Sequence, residues 1–344
     1  MAELTVSIII PTINEADTLP VLIDQLQQQK NVCLEIIVVD GGSQDNTIGI
    51  AQQKHARVVE SKKGRAKQMN AGAKVAQYST LFFLHADSEI DDVLFLFRAL
   101  DAFSQQLKQQ STVAGHFSLS FKRQTHKHKL AFRYLEAKSK TNRLQTINGD
   151  QGLIIQRDFF HQLGGYDESL PVMEDQAIAA HIFREGQWLL LPGTLTTSGR
   201  RFETEGFHRR YILMGLMMGL FWTDTNQFFV RVKNVYAEQN RTAKLKLWPF
   251  FYCIWRMQIE DLGLKQSFIQ WYRVGRYVRQ NSWQLFFYVD VYLGKTESHP
   301  WLNIHDKYIV RLINNVVCDL VITPLVFIWY MLILGPWFFL FDES

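Results

Sequence analysis

The sequence predicts an α/β fold, a mostly parallel sheet flanked by helices, followed by a region that is helical throughout. Three observations carry this. The first half alternates short apolar runs with amphipathic stretches, the rhythm of successive βαβ units. Polar residues collect where those runs stop, which is where open α/β sheets bind ligands. From about Phe207 the chain becomes aromatic, basic and helical in spacing. With 344 residues, 47% apolar and 20% charged, there is core enough for a domain of ~200–250 residues plus an appendage. This composition excludes a disordered chain.

Taken in order, Leu4–Ile10 is a β-branched run of the kind that forms a strand covered on both faces. Asp17–Gln29 has helical spacing at Leu19, Leu22, Ile23 and Leu26. Glu35–Val39 is a second buried strand ending in the turn Asp40-Gly41-Gly42-Ser43. Thr47–Lys54 reads as a helix, Arg57–Val59 as a short strand and Arg65–Ala76 as another helix. Leu81–Leu84 is a fourth strand that stops at His85-Ala86-Asp87. Beyond residue 110 come a strand at Val113–Phe121, a helix at Lys129–Lys140 and a turn entering a strand over Asn148–Ile155. A tight loop at Leu163–Tyr166, a helix at Glu174–Arg184 and a final strand at Trp188–Leu191 complete the α/β part.

Charge and cysteine content narrow the setting. The net charge of +4 is mild, but Arg200–Gln280 holds fourteen Lys/Arg against six Asp/Glu among many aromatics. Such a stretch attracts phosphates, an acidic membrane surface or nucleic acid. No recognised nucleic-acid module accompanies it, so nucleic acid is not an expected partner. Cys33, Cys253 and Cys318 form no CxxC pair and read as reduced thiols. No basic stretch followed by an apolar one precedes the first strand, so the expected location is the cytoplasm.

The candidate chemistry sits at strand ends. Pro11, Thr12, Asn14 and Glu15 end the first strand, and Glu15 is able either to accept from a sugar hydroxyl or to serve as a cap. Asp40 is placed to read a base N–H or a ribose hydroxyl, while Asp45 caps the next helix or touches substrate. Gly64 and Arg65 open a helix amid three lysines, an anion site or a solvated basic start, with Gln68 one turn on. This is neither a GxxxxGK(S/T) phosphate loop nor a GxGxxG fingerprint. His85 and Asp87 are candidate ligands for Mg²⁺ or Mn²⁺, the Lewis acid that a departing diphosphate needs. Asp150 lies in a polar turn; Glu174 and Asp175 are paired carboxylates at a helix start, catalytic or merely dipole partners. Arg200 and Arg201, read as a loop after the last strand, suit phosphate oxygens or are plain surface.

In the order SIIIPTINE, EIIVVDGGSQDNT, KGRAKQMNAG, LHADS, NGDQG, GGYDE, MEDQ and SGRRFE, these segments resemble the family 2 inverting glycosyltransferases, in a bacterial branch, over roughly residues 4–206. The resemblance implies a GT-A type fold and transfer of a sugar from a UDP- or GDP-linked donor. It implies that Pro11, Thr12 and Glu15 line the nucleotide, Asp40 contacts the base, Arg65 lies near base or phosphates, Asp87 binds the metal and Asp175 is the general base. The usual DxD motif stands here as His85-Ala86-Asp87, lacking the first carboxylate, although imidazole also ligates Mn²⁺. A catalytically silent nucleotide-sugar-binding protein is therefore the alternative; a nucleotidyltransferase lacks support because its GxGxR-type loop is missing.

The expected domains are 1–206, a basic and aromatic helical region at 207–315, and an apolar segment at 316–344. Val316–Phe341 is apolar but broken by Asp319, Pro324 and Gly335-Pro336. It contacts a membrane (spanning, re-entrant or monotopic) or packs as a helical pair. If it spans, Lys307 and Arg311 before it and Asp342 and Glu343 after it place its N-terminal side in the cytoplasm. Tyr211–Trp222 is an interfacial helix or the wall of an acceptor site, and the acceptor expected is lipid-linked or membrane-embedded.

Overall fold

The computed structural model describes residues 3–239 and 244–342; Arg241, counted in the basic excess, and Glu343 lie outside the described residues. The chain forms two compact units, one of Met1–Arg123 with Leu135–Gly199, the other of Gln124–Tyr134 with Arg200–Ser344.

The first unit is built on strands β1 (Thr5–Thr12), β2 (Cys33–Asp40), β3 (Arg57–Glu60), β4 (Thr80–Phe83), β5 (Val113–Lys122), β6 (Leu153–Gln156) and β7 (Gln187–Ser198). They form one seven-stranded sheet in the order β3-β2-β1-β4-β6-β5-β7. Neighbours pair in parallel except β6, which runs against both β4 and β5. The helices are α1 (Leu19–Gln27), α2 (Thr47–Gln53), α3 (Arg65–Val75), α4 (Phe95–Leu107), the end of α5 (Lys129–Lys138), α6 (Arg157–Gln162) and α7 (Glu174–Glu185). One sheet face buries Ile8, Ile10, Val38 and Phe82 with side chains of α1, α2 and α4. The other buries Ile9, Ile37, Leu81 and Phe83 with side chains of α3, α6 and α7. Covering on both faces is why these strands read as unbroken apolar runs. The mixed α/β, mostly parallel sheet flanked by helices is as expected.

Several elements differ from the sequence reading, and helix α6 (Arg157–Gln162) has no counterpart in it. Helix α4 has no counterpart there, although Phe95, Leu96, Ala99, Leu100 and Phe103, all buried, carry the helical period. Strand β7 continues past Leu191 to Ser198, because Pro192 lies on an edge strand where its missing N–H costs no ladder bond. The register slips there opposite Phe117, and Gly193 takes φ 114° against the Phe95 ring. Finally, Arg200 and Arg201 do not lie in a loop: they begin a short helix, α8 (Arg200–Glu205), of the second unit.

That unit continues as α9 (Phe207–Phe221), α10 (Asn226–Gln239), α11 (Trp248–Arg256), α12 (Gly263–Gln280), α13 (Trp283–Tyr292), α14 (Pro300–Ile304), α15 (Val310–Ile313), α16 (Val316–Phe327) and α17 (Gly335–Phe341). The Gly335-Pro336 pair does not break the apolar segment. Wider π-type turns over Ile328–Leu334 carry the helical path from α16 into α17, and Pro336, which has no N–H to donate, follows them at the start of α17. Among the described residues Val316–Phe341 is long and apolar enough to cross a membrane.

Candidate functional site

Parallel pairing of β1 with β2 and β4 brings their carboxyl ends to one edge, with Thr12 opposite Asp40. Reversed β6 starts at that same edge, Leu153 opposite Phe83, so the Asn148–Gly152 turn joins the loops after β1, β2 and β4.

The loops after β1 and β2 are laced together. Asn14, in the left-handed region at φ 55°, accepts from Gln44 N–H at 2.7 Å and donates its own N–H to Ser43 Oγ at 2.9 Å. Glu15 N–H donates to Thr47 Oγ1 at 2.9 Å and Ala16 N–H to Asp45 Oδ2 at 3.1 Å. Asp45 also accepts from the Thr47 hydroxyl and N–H, and chiefly that hydroxyl holds its carboxyl below the ordinary value. The Asp40 carboxylate accepts from Gly42 N–H at 2.7 Å, Ser43 N–H at 2.8 Å, the Ser43 hydroxyl and, at 3.5 Å, the Thr12 hydroxyl. Those four donors match the carboxylate's acceptor capacity, and Asp40 is buried. Buried Gln68 gives both amide hydrogens to Thr12 and Val39 carbonyls, at 2.9 and 2.8 Å. Thr12 is buried and Pro11 partly so; Glu15 accepts from the Thr18 hydroxyl at 2.8 Å.

A second group gathers where α3 and α7 begin. Gly64, at φ 140°, precedes α3 and Met173, at φ 70°, precedes α7, and neither gives its helix a side-chain cap. The first residues of the two helices, Arg65 and Glu174, form an ion pair at 3.0 Å. Two uncapped helix N-termini and a guanidinium beside one another favour an anion. Next to them Asp175 accepts from Gly149 N–H at 2.9 Å and Gln176 N–H at 2.8 Å. Burial, then the Glu174 charge, push the Asp175 carboxyl above its ordinary value, with the Gly149 N–H and Arg65 opposing. The pocket it lines, of about 10 Å³, has room for one water-sized group between Arg65, His85, Gly149 and Tyr166 over an apolar floor of Met69, Phe83 and Leu153.

The Asn148–Gly152 turn is held from below. Asn148 and Gln151 form a reciprocal cap, and buried Gln151 donates to Ser139 O at 2.8 Å, with its Nε2 2.9 Å from His116 Nδ1. Gly152, at φ 65°, leaves no room for a side chain: a Cβ would lie 2.8 Å from the Phe82 ring. The turn so fixed aims Gly149 N–H at Asp175 and sets Asp150 Oδ1 2.8 Å from His85 Nδ1. Arg65, His85, Asp150, Glu174 and Asp175 are therefore brought together. Tyr166 was not singled out as a ligand residue, yet it lines the pocket, its hydroxyl pKa held well above the ordinary value by burial and then by Asp175 and Glu174. The signal in the sequence was the Gly164-Gly165 turn immediately before it.

Partly buried Asp87 lies beyond β4, and among the described residues it accepts no hydrogen bond and forms no ion pair. No group of three or more His, Cys, Asp and Glu is gathered as a cage among the described residues. A single open carboxylate nonetheless fits Mg²⁺ or Mn²⁺, ions that keep waters and share substrate phosphates. Arg200 and Arg201 are exposed residues of the second unit.

Residues 7–164 match the family model described as glycosyl transferase family 2. A PGL/p-HBAD biosynthesis glycosyltransferase of Mycobacterium bovis is 36% identical over 97 residues, 26% of this chain and 38% of that protein. An uncharacterized glycosyltransferase of Haemophilus influenzae is 23% identical over 192 residues, 52% of this chain and 62% of its own length. The chain thus spans less than two thirds of either relative. A mannosyltransferase of Pyrobaculum calidifontis, solved with GDP-Man and Mn²⁺, superposes with a TM-score of 0.47 at 16% identity, covering 98% of this chain and 88% of that one. Residues 7–164, a little under half of the chain, thus resemble a glycosyltransferase family 2 domain.

Proposed function

We propose that the protein transfers a sugar from a UDP- or GDP-linked donor to an acceptor hydroxyl with inversion at the anomeric carbon. The observation that carries this is the pairing of an anion site, two uncapped helix starts bridged by Arg65 and Glu174, with a carboxylate of raised pKa directly beside it. Asp175 takes the acceptor's proton as its oxygen attacks, the bond from the anomeric carbon to the diphosphate oxygen breaks, and the nucleoside diphosphate leaves. The Gly149 N–H holds the base in place. Glu174 keeps Arg65 aimed at the departing phosphates, and Gly64 leaves the α3 N–H groups open to them. The laced β1 and β2 loops, with Pro11, Thr12 and Glu15, bound the nucleoside, while Asp40 and Gln68 set their shape. Asp87, with His85 beside it, would hold Mg²⁺ or Mn²⁺, which as a Lewis acid neutralises the leaving diphosphate. His85 is meanwhile oriented by Asp150. Arg200 and Arg201 contribute charge for the donor.

Residues 207–344 associate with the cytoplasmic face of a membrane, where a lipid-linked acceptor is within reach. What supports this is the apolar helix Val316–Phe341, only 22% buried over its most apolar stretch. A catalytically silent nucleotide-sugar-binding protein is favoured only by the missing first carboxylate of DxD. Hydrolysis and transfer measured over a panel of UDP- and GDP-sugars, with and without Mn²⁺, test the proposal. Donor binding without turnover of any of them would leave the silent reading.

A further inference from the structure

Resting on that membrane reading, we infer that the apolar helix beds side-on into the acyl layer of a single anionic leaflet and does not span the bilayer. Its length alone would permit spanning: 26 residues make a rod of about 39 Å, against a hydrocarbon core of ~30 Å. Its attachment does not.

One narrow stripe, Asp319, Thr323, Val326, Met331, Gly335 and Phe338, is buried along the whole length of the helix. Thr323 packs against Gly275 so closely that a Cβ there would lie 2.3 Å from its hydroxyl, Phe327 meets Trp271 at 5.1 Å, and Phe338 stacks on Phe251 at 6.0 Å. Both ends are pinned by buried carboxylates. Asp319 pairs with Arg279 at 2.5 Å, and Arg279 also donates to Asn314 Oδ1 at 2.9 Å. At the far end Asp342 accepts from Leu247 N–H and Trp248 N–H, each at 2.6 Å, and pairs with Arg209. Free charges at these points would be costly, so the helix does not swing away from the unit on its own.

The pairs 279–319, 275–323 and 271–327 show that α12 runs antiparallel to the apolar helix along its flank. The opposite face of α12 carries exposed Lys265, Arg273 and Arg276, spread over the same length. A network of Arg231, Arg256, Glu260 and Asp261 lies on α10, α11 and the turn between α11 and α12. If the apolar helix crossed a bilayer, these charges would enter hydrocarbon beside it, where ionised side chains are strongly disfavoured. Laid flat, the same arrangement separates cleanly. Leu320, Leu325, Trp329, Leu332, Trp337 and Leu340, all exposed, face the acyl chains, while the charged face of α12 stays in water. Exposed Lys307 and Arg311, just before the helix, suit anionic headgroups.

The test uses the full chain with Cys33, Cys253 and Cys318 replaced by Ser, carrying a fluorophore at one of Leu320→Cys, Trp329→Cys or Leu340→Cys. All three sites face outward, so the fold tolerates the label; a thermal melt checks this. Vesicles of phosphatidylglycerol and phosphatidylcholine carry a quencher either near the headgroup or near the chain end. The result expected is flotation with the vesicles and, at all three labels alike, a larger fluorescence loss with the shallow quencher. Flotation with Trp329→Cys quenched best by the deep quencher and the outer two by the shallow one would overturn the side-on placement and leave the membrane reading standing. No flotation and no quenching at any label would overturn the membrane reading itself, and the placement with it.

Discussion

Replacing Asp175 by Asn changes one charge and almost no volume, and two consequences can be worked out separately. For activity, loss of the base removes ~10²–10⁴-fold, about 3–5 kcal/mol in the barrier. For stability, both Asp175 oxygens accept backbone N–H groups. The amide keeps one acceptor and turns its NH₂ on the Gly149 or the Gln176 N–H, at a cost of ~1–3 kcal/mol. Against that, the variant escapes the burial and Glu174 repulsion that raise the wild-type pKa. Because the folded pKa is raised, the wild type is favoured in its protonated form, and that contribution is lost as pH climbs through the folded value. The variant should therefore gain on the wild type, by thermal melt, as pH rises above the ordinary aspartate value of 3.8. Steady-state transfer, donor calorimetry and melts on the same preparations read all three effects. In the wild type, the acid limb of kcat/KM should lie above the ordinary aspartate value of 3.8. Near wild-type turnover by Asp175→Asn would falsify the assignment; if Glu174→Gln were dead instead, the base would be Glu174. A rate loss matched by an equal loss of donor affinity would make Asp175 a structural residue.

Other outcomes follow from the same geometry. Asp87→Ala should abolish metal-dependent donor binding in calorimetry, and equal affinity with chelator in the wild type would remove Asp87 from the role of ligand. Charge removal at Arg200 and Arg201 should weaken donor binding measurably; an unchanged dissociation constant would separate α8 from the donor. Arg279→Ala strands the buried Asp319 carboxylate and should cost ~3–5 kcal/mol in denaturant melts. A loss below ~1 kcal/mol, the range of exposed pairs, would show that water reaches this pair.

The strands at the sheet centre were legible because β1, β2 and β4 are buried on both faces and leave little ambiguity of period. What the sequence did not show depends on long-range pairing. Nothing local announces that β6 runs against its neighbours, yet that reversal sets Asp150 beside His85 across 65 residues and Gly149 beside Asp175. Residue types at the strand ends were legible in the sequence, but not which way their side chains turn. Asp40 turns toward the Gly42 and Ser43 N–H groups of the turn after β2, and Gln68 toward the Thr12 and Val39 carbonyls at the ends of β1 and β2. The Arg65–Glu174 pair spans 109 residues and is set by where α3 and α7 start. Helix α8 could have been anticipated, since Gly199 and Gly206 bracket a run of helix formers.

The boundary between the two units falls inside α5, whose first half belongs with the helical unit. Phe132 rests there on Phe202 and Phe207, and Tyr134 on Phe287 and Tyr288, with Gln284 accepting from its hydroxyl at 3.1 Å. The α/β part is therefore not a cassette. A gene cut before Phe207 would leave Tyr134 without a lining and Phe132 with Phe202 alone, and the shortened product should clump rather than dissolve. Evolution meets the same obstacle: a new tail grafted onto this α/β half must bring its own socket for that helix. The two halves are expected to be inherited together, and transplants between paralogues to work only when residues 124–134 travel with the tail that receives them.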